Sequence, residues 1–104
     1  MADCRLIVAL DVRSLEEAKK LVETVNFYKV GMELFYRVGS SVLRYLTAQG
    51  KEVFLDLKLH DIPNTVGNGL CSLLHLAPAI LNVHTAGGLR MMKAAAEALH
   101  RAAA

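Results

Sequence analysis

Four apolar runs recur along the chain at nearly regular intervals, over residues 6–12, 28–32, 53–59 and 79–84. Each is strand-length and nearly continuous in Val, Ile, Leu, Phe or Tyr, as expected of strands buried on both faces of a parallel sheet. Helical patterns lie between them. Ser14 with Glu17 three residues later forms a capping box, and Leu15, Ala18, Leu21, Val22 and Val25 then repeat at helical spacing. A second helix is predicted over residues 40–49, closed by Gly50. A third begins near Pro63 or Asn64, with Val66, Leu70, Leu73 and Leu74 directed inward. A fourth, Ala-rich helix runs from about Leu89 onward. The order β-α-β-α-β-α-β-α predicts an α/β architecture, a parallel sheet with packed helices. It is either a small open sheet or four units of an eight-fold barrel, which typically needs ~250 residues.

The third run, VFLDLKLHDIPNTV over residues 53–66, departs from this apolar pattern. Asp56 and Lys58 interrupt a strand that is otherwise Val, Phe and Leu, and charged side chains are almost never fully buried unless paired. Strand side chains alternate between faces. Phe54, Asp56, Lys58 and His60 therefore share one face, and Asp56 and Lys58 are expected to pair. The same rule groups Ile7, Ala9 and Asp11 on the first strand, Lys29, Gly31 and Glu33 on the second, and Ile80, Asn82 and His84 on the fourth. Each strand thus carries polar groups near its C-terminal end, where function gathers in α/β proteins. Asp11, Lys29, Asp56, Lys58 and Asp61 are expected to converge on one rim.

Other features read more simply. His60 beside Asp61 could suggest metal ligands, but adjacent residues on a strand point apart. Gly87-Gly88 could cradle a phosphate, although a tight turn explains it. Met91 and Met92 read as core packing.

The chain has 104 residues, enough for one small domain, and 54% of them are hydrophobic. The mean hydropathy is positive, so the apolar surface is either buried unusually well or covered by a partner. The net charge is only +2, and the basic residues are scattered without interleaved aromatics, which argues against nucleic acid. Cys4 and Cys71 lack ligand-like spacing and are expected to be reduced thiols in a cytoplasmic protein. The run 6–10 is too short for a signal core and ends at Asp11. No stretch reaches the ~18 apolar residues of a membrane span.

Four segments, ALDV at 9–12, KVGMELF at 29–35, FLDLKLHDIPNTV at 54–66 and VHTAGGLRMM at 83–92, occur together and in order. In them the chain resembles the N-terminal half of the bacterial orotidine 5′-monophosphate decarboxylases. The resemblance implies a (β/α)₈ barrel of the TIM type, here four β/α units over residues 1–104. It also implies a homodimer with shared active sites, UMP biosynthesis, and no metal or organic cofactor. By that resemblance Lys29, Asp56 and Lys58 belong to a catalytic charge network. Asp61 completes it from the partner subunit, Thr65 reaches the partner's substrate, and Asp11 binds the ribose. Lys58 would protonate the carbanion left at C6, with Asp56 holding Lys58 charged. Two other readings compete. One is a metal-dependent sugar-phosphate lyase of the same superfamily, which shares the Asp-x-Lys-x-x-Asp spacing but lacks HDIPNT. The other is a non-catalytic half-barrel that serves as an assembly module. The family has eight units, and its phosphate-gripping loops follow strands seven and eight. Little or no decarboxylation is therefore expected of these 104 residues alone, and association into a dimer or higher oligomer is expected.

Overall fold

The computed structural model describes residues 4–23 and 25–103. Its elements are β1 (Val8–Ala9), α1 (Leu15–Leu21), β2 (Phe27–Gly31), α2 (Met32–Val38), α3 (Ser41–Ala48), β3 (Glu52–Leu59), α4 (Pro63–Leu73), β4 (Ile80–Val83) and α5 (Leu89–Ala103). The four strands form one parallel sheet in the order β1-β2-β3-β4. All four predicted strands are present, and all four C-terminal ends lie along one edge.

Helix boundaries follow local chemistry. Ser14 caps α1, its Oγ accepting from the Glu17 N–H (3.1 Å). The Glu17 carboxylate reaches back to the Arg13 N–H (3.0 Å), one residue before the usual capping-box partner. Pro63 begins α4, where its missing N–H costs nothing. Gly50 follows α3 at φ +74°, the left-handed conformation that glycine adopts without penalty.

The apolar strand positions alternate as predicted. Tyr28, Val30, Val53, Leu55 and Leu57 join Leu10, Ala18, Val42, Leu43 and Leu46 in one core between the sheet and the helices. A second core, of Val66, Leu70, Met91 and Ala95, holds α4 and α5 together against Leu59, Leu81 and Val83. Met91 is fully buried, in accord with core packing. The alternate strand set, which includes Ile7, Lys29, Phe54, Ile80 and Asn82, belongs to neither core. The helices thus pack on one face of the sheet, and the other face carries the polar groups.

Several expectations are corrected. β1 spans two residues rather than the run 6–12, because an edge strand has a single neighbour to pair with; Leu6 and Ile7 are exposed. The chain turns into α2 at Met32, so Glu33 lies on a helix and does not extend the alternation of β2. Leu21 ends α1 facing solvent, and Leu74 begins a 3₁₀ turn and is exposed; neither points inward. In β3 the residues Leu55, Asp56 and Leu57 are all buried, and the β3–β4 register shifts between Leu55 and Leu59. Lys58 sits at this irregularity with φ +51°, a left-handed conformation uncommon for a side chain of its type.

Candidate active site

Asp56 is the buried charged residue of the sheet, 5% exposed. It lies opposite Gly31 of β2. An ionised carboxylate in that position must be satisfied by donors, and three strands supply them. From β2, Lys29 Nζ donates to Oδ2 (3.1 Å). From β3, Lys58 Nζ donates to Oδ1 and Oδ2 (2.7 and 2.8 Å). From β4, Asn82 Nδ2 donates to Oδ1 (2.7 Å). Burial alone would raise the Asp56 pKa. The hydrogen bonds from Lys58, Asn82 and Lys29, with the positive charge of Lys58, more than offset it and bring it down to about 2. Asp56 is therefore a fixed negative charge between two ammonium groups. The Lys58 side chain remains half exposed and that of Lys29 partly so.

The cluster opens into a cleft of about 240 Å³ at the C-terminal edge of the sheet, lined by Asp11, Lys29, Gly31, Glu33, Asp56 and Lys58 among others. Four of the five residues expected on one rim thus meet there. The fifth, Asp61, does not. Its Oδ1 accepts the Ile62 N–H (2.7 Å) at the entrance to α4. With Thr65, Tyr36 and His60 it lines an adjacent cavity of about 420 Å³, which meets the cleft at Met32 and Lys58.

The His60 ring stacks on that of His84, with centroids 5.3 Å apart. His84 Nδ1 accepts the Ala86 N–H (3.0 Å). Among the described residues no group of three or more His, Cys, Asp or Glu side chains is arranged to hold a metal ion. Gly87 and Gly88 form a turn over Met91. Among the described residues no helix is long and apolar enough to cross a membrane.

The residue whose chemistry was not anticipated is Asn82. The strand alternation placed it on the correct face, but an amide does not stand out among strand-end polar groups. Its contribution becomes visible only through its two partners, Asp56 and the Lys58 backbone.

Known proteins are similar to this chain in sequence and in fold. The family model for the orotidine 5′-phosphate decarboxylase / HUMPS family matches residues 4–103. The chain is 52% identical over 100 residues to an orotidine 5′-phosphate decarboxylase of Enterococcus faecalis, covering 91% of this chain and 42% of that protein. It is 53% identical over 95 residues to that of Carboxydothermus hydrogenoformans, covering 88% and 40%. Its fold is similar to the crystal structure of the Lactobacillus acidophilus orotidine 5′-phosphate decarboxylase, with a TM-score of 0.85 and 46% identity over 96% of this chain and 47% of that one. An uncharacterized conserved protein from Geobacillus kaustophilus gives a TM-score of 0.86 at 48% identity over 92% of this chain and 46% of that one. The chain therefore spans less than half the length of the relatives it matches. With a family match over nearly every residue and the charge cluster at the C-terminal edge of its sheet, this chain belongs to the orotidine 5′-phosphate decarboxylase / HUMPS family.

Proposed function

We propose that this chain carries the catalytic charge network of an orotidine 5′-phosphate decarboxylase and forms four units of a (β/α)₈ barrel that acts in cytoplasmic UMP biosynthesis. The observation that supports this most strongly is the Lys29–Asp56–Lys58 array facing a cleft, in a chain of this family. The sheet face without helices would become the inner wall of the barrel.

Loss of CO₂ from orotidine 5′-phosphate breaks the bond between C6 and its carboxylate and leaves the electron pair on C6. That pair lies in the ring plane, out of reach of the π-system. An ammonium beside C6 stabilises it and then delivers a proton, so one group provides electrostatic and general-acid catalysis. Lys58 takes this role. The resulting neutral amine regains its proton from solvent. Asp56 orients Lys58 and Lys29, and Asp11, which lines the same cleft, takes the ribose hydroxyls. Asp61 and Thr65 line the neighbouring cavity, a placement that fits contact with the substrate of a second copy in a homodimer.

Joined to the C-terminal remainder of the Enterococcus faecalis relative, the chain is expected to convert orotidine 5′-phosphate to UMP with one CO₂ released per turnover. A folded chimaera that binds UMP but releases no CO₂ contradicts the proposal.

A further inference from the structure

We propose that Asn82 is a positioning residue of the Lys29–Asp56–Lys58 network, its side-chain amide tying the left-handed backbone of Lys58 to the Asp56 carboxylate. This rests on the decarboxylase reading for its consequence, but not for its geometry. The β3–β4 register is interrupted between Leu55 and Leu59. At such an irregularity a residue leaves the ladder and its N–H needs another partner. Here the Lys58 N–H donates to Asn82 Oδ1 (2.9 Å), and Asn82 Nδ2 donates to Asp56 Oδ1 (2.7 Å). Only one orientation of the amide satisfies both partners, since its oxygen must face an N–H and its nitrogen a carboxylate. The amide therefore stabilises two things together: the positive φ of Lys58, and the carboxylate on which the Lys58 ammonium rests.

The groups facing Asp56 are Lys29 on β2, Lys58 on β3 and Asn82 on β4. Asp11 adds negative charge around the same cleft, and Glu33 lines it while paired with Arg13 (3.2 Å). Removing the amide deletes one of the hydrogen bonds that hold Asp56 ionised. It also leaves the Lys58 N–H without its acceptor, so the backbone can relax toward an extended form and carry the ammonium away.

The test is carboxyl ¹³C NMR titration of Asp56 in the purified protein, which requires no substrate. The midpoint of Asp56 is expected to rise by about one pH unit or more in Asn82→Ala. It should rise further in the isosteric Asn82→Asp, which keeps an acceptor for Lys58 but replaces the donor with a charge. A merely structural role would lower thermal stability and leave that midpoint unchanged, and an unchanged midpoint in a folded variant overturns the proposal. The wild type supplies a measurement independent of any variant. A through-hydrogen-bond coupling between the Lys58 amide nitrogen and the Asn82 side-chain carbonyl carbon is expected, and its absence likewise overturns the proposal. If Asp56 responds as expected but no turnover is found in the chimaera, the decarboxylase reading fails alone. If Lys58→Ala abolishes turnover while the Asp56 midpoint ignores Asn82, this inference fails alone.

Discussion

Asp56 is a carboxylate whose burial is tolerable only because two lysines and an amide converge on it. This makes it a source of acid lability. Its folded-state pKa lies below that of the unfolded chain, so its contribution to stability is fully present above about 3.8 and disappears as the pH falls through about 2. With solvent screening at the half-exposed Lys58, that contribution is on the order of 1 kcal/mol. Urea unfolding between pH 5 and pH 2 is therefore expected to show wild-type stability falling more steeply than that of Asp56→Asn. Parallel losses in the two proteins would contradict this assignment. The charges themselves were legible, because Asp-x-Lys has no structural reason to stand in an apolar strand. The left-handed turn at Lys58 was not, since strict alternation assumes an unbroken ladder. Asp61 lies just past the end of β3 but lines the neighbouring cavity rather than the cleft, because the pleat that sets the direction of side chains stops with the strand.

The helices are held by short-range chemistry that the residues display openly, with one exception. The Ser14 cap, Pro63 at the start of α4 and Gly50 after α3 all act as read from sequence. α2 was not anticipated. In MELFYRV the run Leu34-Phe35-Tyr36 hides any helical spacing, and Met32–Val38 lacks room for more than two turns of helical repeat. Gly31 at its N-cap and the burial of Leu34 determine the outcome. The pairing of α4 with α5 depends on a close approach at Gly67, where an added Cβ would stand 3.3 Å from Ala98 Cβ and 3.5 Å from Ala94 O. Gly67→Leu is expected to lower unfolding stability by about 1–3 kcal/mol through overpacking. Gly69→Ala, on the same helix, whose Cβ would meet only Leu59 Cδ1 at an ordinary 3.8 Å, should leave stability at or slightly above wild type. Equal effects of the two substitutions in thermal or chemical unfolding would remove the packing argument.

The molecule as a unit is open rather than closed. Its radius of gyration is 14.4 Å, against about 12.9 Å for a compact domain of this length. Its accessible surface is 6673 Å², against about 5,800 Å² for a monomer of this size. Parallel sheets are ordinarily covered on both faces, whereas here the helical cores cover one. Ile7 and Ile80 on the other face are exposed. The chain by itself is expected to sediment as a dimer or higher oligomer, and a monodisperse monomer would count against that. The alternating β/α order was legible from the spacing of the apolar runs, because a parallel strand buried along its length leaves a continuous apolar signature. Which face lacks helices was not, since that depends on the handed packing of every crossover together. This open architecture places one charge cluster at the C-terminal edge of the sheet, and the account depends on what Lys58 does there. The most direct measurement compares turnover of orotidine 5′-phosphate by the Enterococcus faecalis chimaera with and without Lys58→Ala, alongside circular dichroism to establish that both are folded. The account predicts a fall in kcat of at least about a thousand-fold. Retention of kcat within about ten-fold of the parent would contradict it.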